Sequence, residues 1–213
     1  MKTDELVALL ATGAVAVDGH SVARRYATAL VVGALAAVSM MVIVLGVRGD
    51  IVEAMKLPMF WVKLAFPATL GAAGLHAAIR LSRPGGRVGG VAGVLLVPAI
   101  AFWILAVCVL LATPSTERVG LIFGSTWKSC LIEVPKLAVP LFIAALWAMR
   151  GLAPTRLALA GAAAGLLAGG FAAAIYALHC PEMEAPFIGI WYSAGMLIPA
   201  FFGALIGPIV LRW

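Results

Sequence analysis

Charge is the scarcest property of this sequence. Lys and Arg number 15 and Asp and Glu 9 among 213 residues, 11% together, in short clusters between long uncharged runs. A water-soluble domain around one core is thereby excluded. Apolar residues make up 64% of the chain and mean hydropathy is +1.11, against about 45–50% apolar residues in soluble domains. Catalytic constellations are also missing. There is no phosphate-cradling glycine loop, no His-Glu-x-x-His, and no Ser, His and acid set that one side of a membrane could assemble, so no enzyme is expected. A secretory signal peptide is not expected either. Asp4 and Glu5 follow Lys2 at once, and no small-residue cleavage site follows an apolar stretch before Tyr26.

What is present is a set of runs long enough to cross the roughly 30 Å hydrocarbon layer as helices. The expected spans are Tyr26–Val47, Pro58–Leu81, Val88–Ala112, Ile132–Met149, Leu157–Leu178 and Pro186–Leu211. The fold class is therefore an all-α, six-span membrane bundle. Lys2, Arg24, Arg25, Arg80, Arg83, Arg87, Arg150, Arg156 and Arg212 fall on one side, against Arg48, Lys56, Arg118 and Lys128 on the other. Nine against four places both termini in the cytoplasm by the positive-inside rule. The net charge of +6 is explained by this topology, without nucleic acid as a partner. Residues 1–25 form a cytoplasmic segment and residues 26–213 the transmembrane domain.

A faint repeat suggests duplicated two-helix hairpins: Lys63-Leu-Ala-Phe-Pro67 in the second span is echoed by Lys136-Leu-Ala-Val-Pro140 in the fourth. Two readings stand for Lys63 and Lys136. Either both snorkel to the headgroups, or both line a polar cavity inside the bundle. His76 is expected to hydrogen-bond between helices rather than to relay protons. Gly161, Gly165, Gly169 and Gly170 make a small-residue face on the fifth span, suited to tight packing within the bundle or to a homodimer.

All three cysteines fall toward the outer side: Cys130 in the third loop, Cys180 in the fifth, Cys108 about one turn below the outer end of the third span. In an oxidising compartment Cys130 and Cys180 have three uses: a disulfide, a redox couple, or a soft-metal site. The stretch His179-Cys180-Pro181-Glu182-Met183-Glu184 gathers donors for zinc or copper, with His179, Cys180 and Cys130 as candidate ligands. Its spacing matches no standard zinc motif. Otherwise no cofactor is expected.

The amino-terminal stretch Met1-Lys-Thr-Asp-Glu-Leu-Val-Ala-Leu-Leu-Ala11 reads as a short amphipathic helix. Thr3 or Asp4 caps it, acids occupy its first turn, and Leu6, Leu9 and Leu10 share one face. So short a helix is unstable alone in water, and its leucines need a membrane surface or a protein groove. Asp4, Glu5 and Asp18 against Lys2 disfavour anionic lipid and favour the groove. Gly13 and Asp18-Gly19 would end the helix and hinge it to the first span.

This stretch, the six spans, and a lone cysteine in each of two outer loops resemble the NrsF-type membrane anti-sigma factors. The resemblance implies that the amino-terminal segment holds an extracytoplasmic-function sigma factor inactive, and that periplasmic cysteines respond to heavy-metal or oxidative stress. Carried onto this chain, it implies partner contact through Asp4, Glu5, Leu6, Leu9 and Leu10 and sensing by Cys130 and Cys180, in a bacterial inner membrane. Cys108 has no counterpart in that pattern. Two other classes compete: a small metal or osmolyte transporter or channel using Lys63, Lys136 and His76, and a thiol oxidoreductase, which the absence of Cys-x-x-Cys disfavours.

Overall fold

The computed structural model describes residues 3–12, 21–86 and 89–212. Its helices in chain order are α1 (Thr3–Thr12), α2 (Ser21–Met40), α3 (Ile51–Ala54), α4 (Pro58–Leu81), α5 (Val91–Ala112), α6 (Arg118–Phe123), α7 (Trp127–Arg150), α8 (Leu157–Tyr176), α9 (Ala185–Phe187) and α10 (Ser193–Val210). Among the described residues there is no strand. Six stretches are long and apolar enough to cross a membrane: Ser21–Leu45, Pro58–Leu81, Gly93–Ala112, Arg118–Arg150, Leu157–Tyr176 and Ala185–Val210. Two of them contain a π-helical turn, Met41–Leu45 beyond α2 and Ile188–Tyr192 between α9 and α10. The first closes on Gly46, whose φ of 75° turns the chain away from the helix axis.

The first span begins at Ser21 rather than Tyr26, and the fourth also departs from its expected bounds. It begins as a helix at Trp127 rather than Ile132, so Cys130 lies in its first turn and not in a loop. Polar Lys128 and Ser129 interrupt the apolar run there, but polar side chains do not stop a helix. Lys136 pairs with Glu133 one turn back at 2.8 Å, and the exposed Lys128 lies 5.5 Å from the Trp127 ring.

Helix α8 is the axis of the bundle, lying between α4, α7 and α10. Its Ala and Gly residues would be poor drivers of helix formation by burial alone, yet they let three neighbours approach at backbone distance. A Cβ on Gly161 would strike the Gly203 carbonyl of α10, one on Gly165 the Pro199 carbonyl, and one on Gly170 the Gly71 backbone of α4. This glycine face is therefore spent on contacts inside the bundle, the first of the two uses expected for it. Pro199 sits at the crossing itself, so its missing N–H coincides with the closest approach of α8 and α10. Helix α5 is the outlier. It packs on α4 through the Phe66–Phe102 ring stack at 4.1 Å and leaves most of its other large side chains exposed, as a lipid-facing helix would.

At one end of the bundle the Tyr26 hydroxyl of α2 and the Ser82 hydroxyl after α4 are 2.7 Å apart and buried. Nearby, the Arg25 guanidinium donates to the Trp147 carbonyl at 3.0 Å and lies 4.8 Å from that indole ring. His76, expected to bridge helices, instead accepts a hydrogen bond from Arg80 Nε on its own helix at 3.0 Å. It is exposed on the outward face of α4, because the inward positions Ala73, Gly74 and Ala77 are taken up by contact with α8. Helix α1 forms as expected, with Asp4 and Glu5 exposed in its first turn. The side chains of Leu6, Leu9 and Leu10, and the hinge residues Gly13, Asp18 and Gly19, lie outside the described residues.

Candidate functional site

The polar chemistry of this bundle concentrates at the end opposite Tyr26 and Ser82, where three connecting segments meet. The segment after α8 carries Cys180 and Glu182, the one before α7 carries Ser125 and Thr126, and the one after α2 carries Arg48 and Asp50. Lys63, in the second turn of α4, points into the middle of them. Its side chain is completely buried, at 0% exposure, and its ammonium donates to the carbonyls of Cys180 at 2.6 Å and Glu182 at 2.7 Å. Snorkelling, one of the two expectations for this residue, is thus overturned. The backbone around Cys180 supplies acceptors for the ammonium inside the bundle.

Lys136 behaves differently although its local sequence is nearly the same. Its side chain is about half exposed, at 52%, and paired to Glu133. With His76 on an outward face, the three polar groups expected to share a transport pathway do not meet, and only Lys63 reaches the interior.

Both Cys130 and Cys180 have 0% exposure. Cys130 is held by the first turn of α7, and Cys180 follows the three-residue turn that closes α8, its N–H donating to the Tyr176 carbonyl at 3.0 Å. The thiols are unbonded and lie within electrostatic reach of each other and of Lys63. Cys180 Sγ is 3.9 Å from Thr126 Oγ1. The Tyr192 ring is 5.7 Å from the Lys63 ammonium; its hydroxyl faces Cys180 but is buried without a well-formed hydrogen bond. The two cysteines are therefore enclosed, not displayed on the outer surface as their expected loop positions implied.

The segment holding Cys180 is tied down on every side. Arg48 N–H donates to the Leu178 carbonyl at 3.2 Å, and its guanidinium reaches the Cys180 carbonyl at 3.2 Å while pairing with Asp50 at 2.7 Å. His179 Nδ1 is 2.8 Å from the Gly46 carbonyl, an engagement that turns one of its two nitrogens away from the thiols. The Glu182 carboxylate accepts from Ser125 N–H at 2.7 Å, Ser125 Oγ at 2.8 Å and Thr126 Oγ1 at 3.3 Å. It can come so close because residue 124 is glycine: a Cβ there would sit 2.7 Å from the carboxyl carbon, and φ is 51°. Among the described residues no group of three or more His, Cys, Asp or Glu side chains is arranged to hold a metal. Cys108 is exposed on α5, away from this cluster.

Partial burial pushes the Glu182 carboxyl up, but the donors of Ser125 and Thr126 outweigh it and hold the group below the usual carboxylate range. A depressed folded-state value means that the contribution is present above the unfolded value of 4.5 and is lost as pH falls through the lower folded one. We expect the Ser125 amide to be protected from hydrogen exchange at neutral pH and to lose that protection on acidification below that range. In Glu182→Gln the protection should already be reduced at neutral pH; equal protection in variant and wild type would refute the assignment.

Sequence reasoning had found Lys63, Cys130 and Cys180 but not that they meet, and it missed Arg48, Gly124, Ser125, Thr126 and Tyr192. A signal existed for the last. The chain has only three tyrosines, Tyr26, Tyr176 and Tyr192, set near the ends of apolar runs, and all three are buried.

Comparison with known proteins bears on the whole chain. Residues 10–213 match the family model described as negative regulator of sigma F, NrsF. The chain is 51% identical over 213 residues to a probable anti-sigma-F factor of Azospira oryzae, and 38% identical over 216 residues to an anti-sigma-F factor of Caulobacter vibrioides. Each alignment covers 100% of both chains. No solved structure matches.

Proposed function

Because the chain belongs to the NrsF family of negative regulators of sigma F, we propose that it is a membrane anti-sigma factor which holds an extracytoplasmic-function sigma factor through α1 and releases it when its thiols are attacked. The family is one of regulators, not enzymes, and an anti-sigma factor implies a sigma factor as partner. The observation that carries the reading is the likeness over the full length of an anti-sigma-F factor, spans included. In this reading the bundle sits in the inner membrane with both termini in the cytoplasm, as the nine-to-four distribution of Lys and Arg favours. The sigma factor meets Asp4, Glu5 and the leucine face of α1. Cys130 and Cys180 lie at the periplasmic end, where oxidants or thiol-seeking metals arrive.

The burial of both thiols supports a sensor that is quiet until opened. A thiol with 0% exposure reacts only during excursions of the segment around it. Once modified it no longer fits its pocket, and the closed packing is destabilised relative to an open one.

The test uses the full-length chain, tagged and extracted from membranes in mild detergent. A sigma factor should co-purify, and exposing cells to cadmium or a thiol oxidant before extraction should reduce its amount. An abundant chain without sigma factor sinks the proposal. Cys130→Ser and Cys180→Ser should each blunt induction of a sigma-dependent reporter, with the double replacement adding little, as expected of coupled residues. Full induction in a normally abundant double variant removes the thiols from the mechanism.

A further inference from the structure

Lys63 carries a charge that no side chain neutralises. An ammonium has three N–H donors, and two of them are spent on the Cys180 and Glu182 carbonyls at 2.6 and 2.7 Å. Among the described residues no carboxylate lies within ion-pair distance of it. Apart from the Tyr192 ring 5.7 Å away, the buried cation rests on backbone dipoles, and it is stable only while those carbonyls stay in place. If they leave, a desolvation penalty on the order of several kcal/mol must be relieved by water or by movement of the helix.

Both carbonyls belong to the segment that carries Cys180. Cys130, Cys180 and Tyr192 are all at 0% exposure, so nothing larger than a hydrogen fits on either sulfur without displacing what surrounds it, which for Cys180 is its own segment, Thr126 and Tyr192. Displacing the segment withdraws the acceptors from Lys63. From there α4 runs to Ser82, whose hydroxyl is bonded to Tyr26 of α2 at 2.7 Å, and α2 is the span that follows the amino-terminal segment.

We propose that Lys63 is a latch, a positioning residue that holds the Cys180 segment closed and is set free when a thiol is modified. This rests on the reading of Cys130 and Cys180 as sensing thiols and extends it by naming the group that registers their modification. Closed, the ammonium is solvated by two carbonyls. Open, it must find water at the membrane surface, and α4 is drawn with it.

The native protein tests this in two labelling steps on membranes. N-ethylmaleimide is added first, then a water-soluble acetylating N-hydroxysuccinimide ester, and peptides are read by mass spectrometry. Lys56, whose side chain is 65% exposed, should be acetylated with or without maleimide. Lys63 acetylation should rise from background toward the level at Lys56 in proportion to the fraction of Cys180 and Cys130 that carries maleimide, and stay at background without maleimide. Lys63 left unreactive while those cysteines are fully labelled overturns the latch, and so does Lys63 acetylated equally without maleimide.

A second arm uses Lys63→Met, which keeps the length and removes both hydrogen bonds, and Lys63→Gln, which keeps an N–H donor without charge. Cys180 should react with maleimide at least about tenfold faster in Lys63→Met, since tenfold is the factor for losing even one of its two charge-assisted hydrogen bonds, and at an intermediate rate in Lys63→Gln. A merely structural lysine predicts a different pattern: lower membrane abundance and protease sensitivity throughout the bundle, with wild-type Cys180 reactivity in the folded remainder. That pattern would refute the proposal. Neither arm reads sigma release, so the latch stands or falls separately from the reporter response of the cysteine variants.

Discussion

Gly165→Val should abolish accumulation of the protein in membranes, whereas Gly49→Ala should leave abundance and thermal stability unchanged. At position 165 an added Cβ collides with the Pro199 carbonyl and comes within 2.6 Å of Ala200 Cα. These are backbone atoms of α10 and cannot rotate aside. Overpacking a core typically costs about 1–3 kcal/mol where side chains can shift; here two helices must separate, and α8 touches α4 and α7 as well. In lipid, burial of apolar surface does not recover the loss, because a separated helix face is still surrounded by hydrocarbon, so close packing is the main term being removed. Gly49 has nothing within 4 Å of its added Cβ and no positive φ, and surface substitutions of this kind stay within about 0.5 kcal/mol. Membrane abundance by immunoblot and a melting curve in detergent give the comparison. Wild-type values for Gly165→Val would mean that α8 and α10 do not cross at these residues.

Leu6→Asp combined with Leu10→Asp should give constitutive sigma-dependent transcription at wild-type membrane abundance. In the proposed reading the partner is held by three leucines spaced i, i+3 and i+4 along a helix of 10 residues. Burying a leucine contributes about 1.5–3 kcal/mol, and a carboxylate in the same groove must be desolvated or expelled. Losing two such contacts weakens binding by about two to four orders of magnitude, since each 1.4 kcal/mol is about a factor of ten. The transmembrane packing is untouched, because α1 precedes the first span and is joined to it through residues 13–20. A reporter assay with an immunoblot measures both quantities. Full repression by an abundant double variant would move the inhibitory contact elsewhere.

The two lysine motifs illustrate how far local sequence reaches. Lys63-Leu-Ala-Phe-Pro67 and Lys136-Leu-Ala-Val-Pro140 are nearly the same string on helices of equal length, 24 residues each, yet one lysine is sealed inside and the other is half exposed beside Glu133. What differs is the neighbour. Helix α4 brings Lys63 to the carbonyls of Cys180 and Glu182, while Lys136 on α7 bonds to Glu133 of its own helix. Cys130 shows the same limit, since the polar pair Lys128 and Ser129 reads as a loop before a span expected from Ile132, where a helix has already begun at Trp127.

By itself the sequence determined that this chain has six runs long and apolar enough to cross a membrane, because those two properties belong to each run one at a time. It also determined that α8 would be closely packed, since glycine and alanine at near-four spacing expose the backbone of one helix face whatever lies against it. Only the tertiary structure decided which partners that face would take, that Lys63 and not Lys136 would be buried, and that two cysteines 50 residues apart in sequence would be enclosed beside it. Those outcomes depend on distances between helices. Such distances are summed over many weak contacts along the bundle and are carried by no single segment of it.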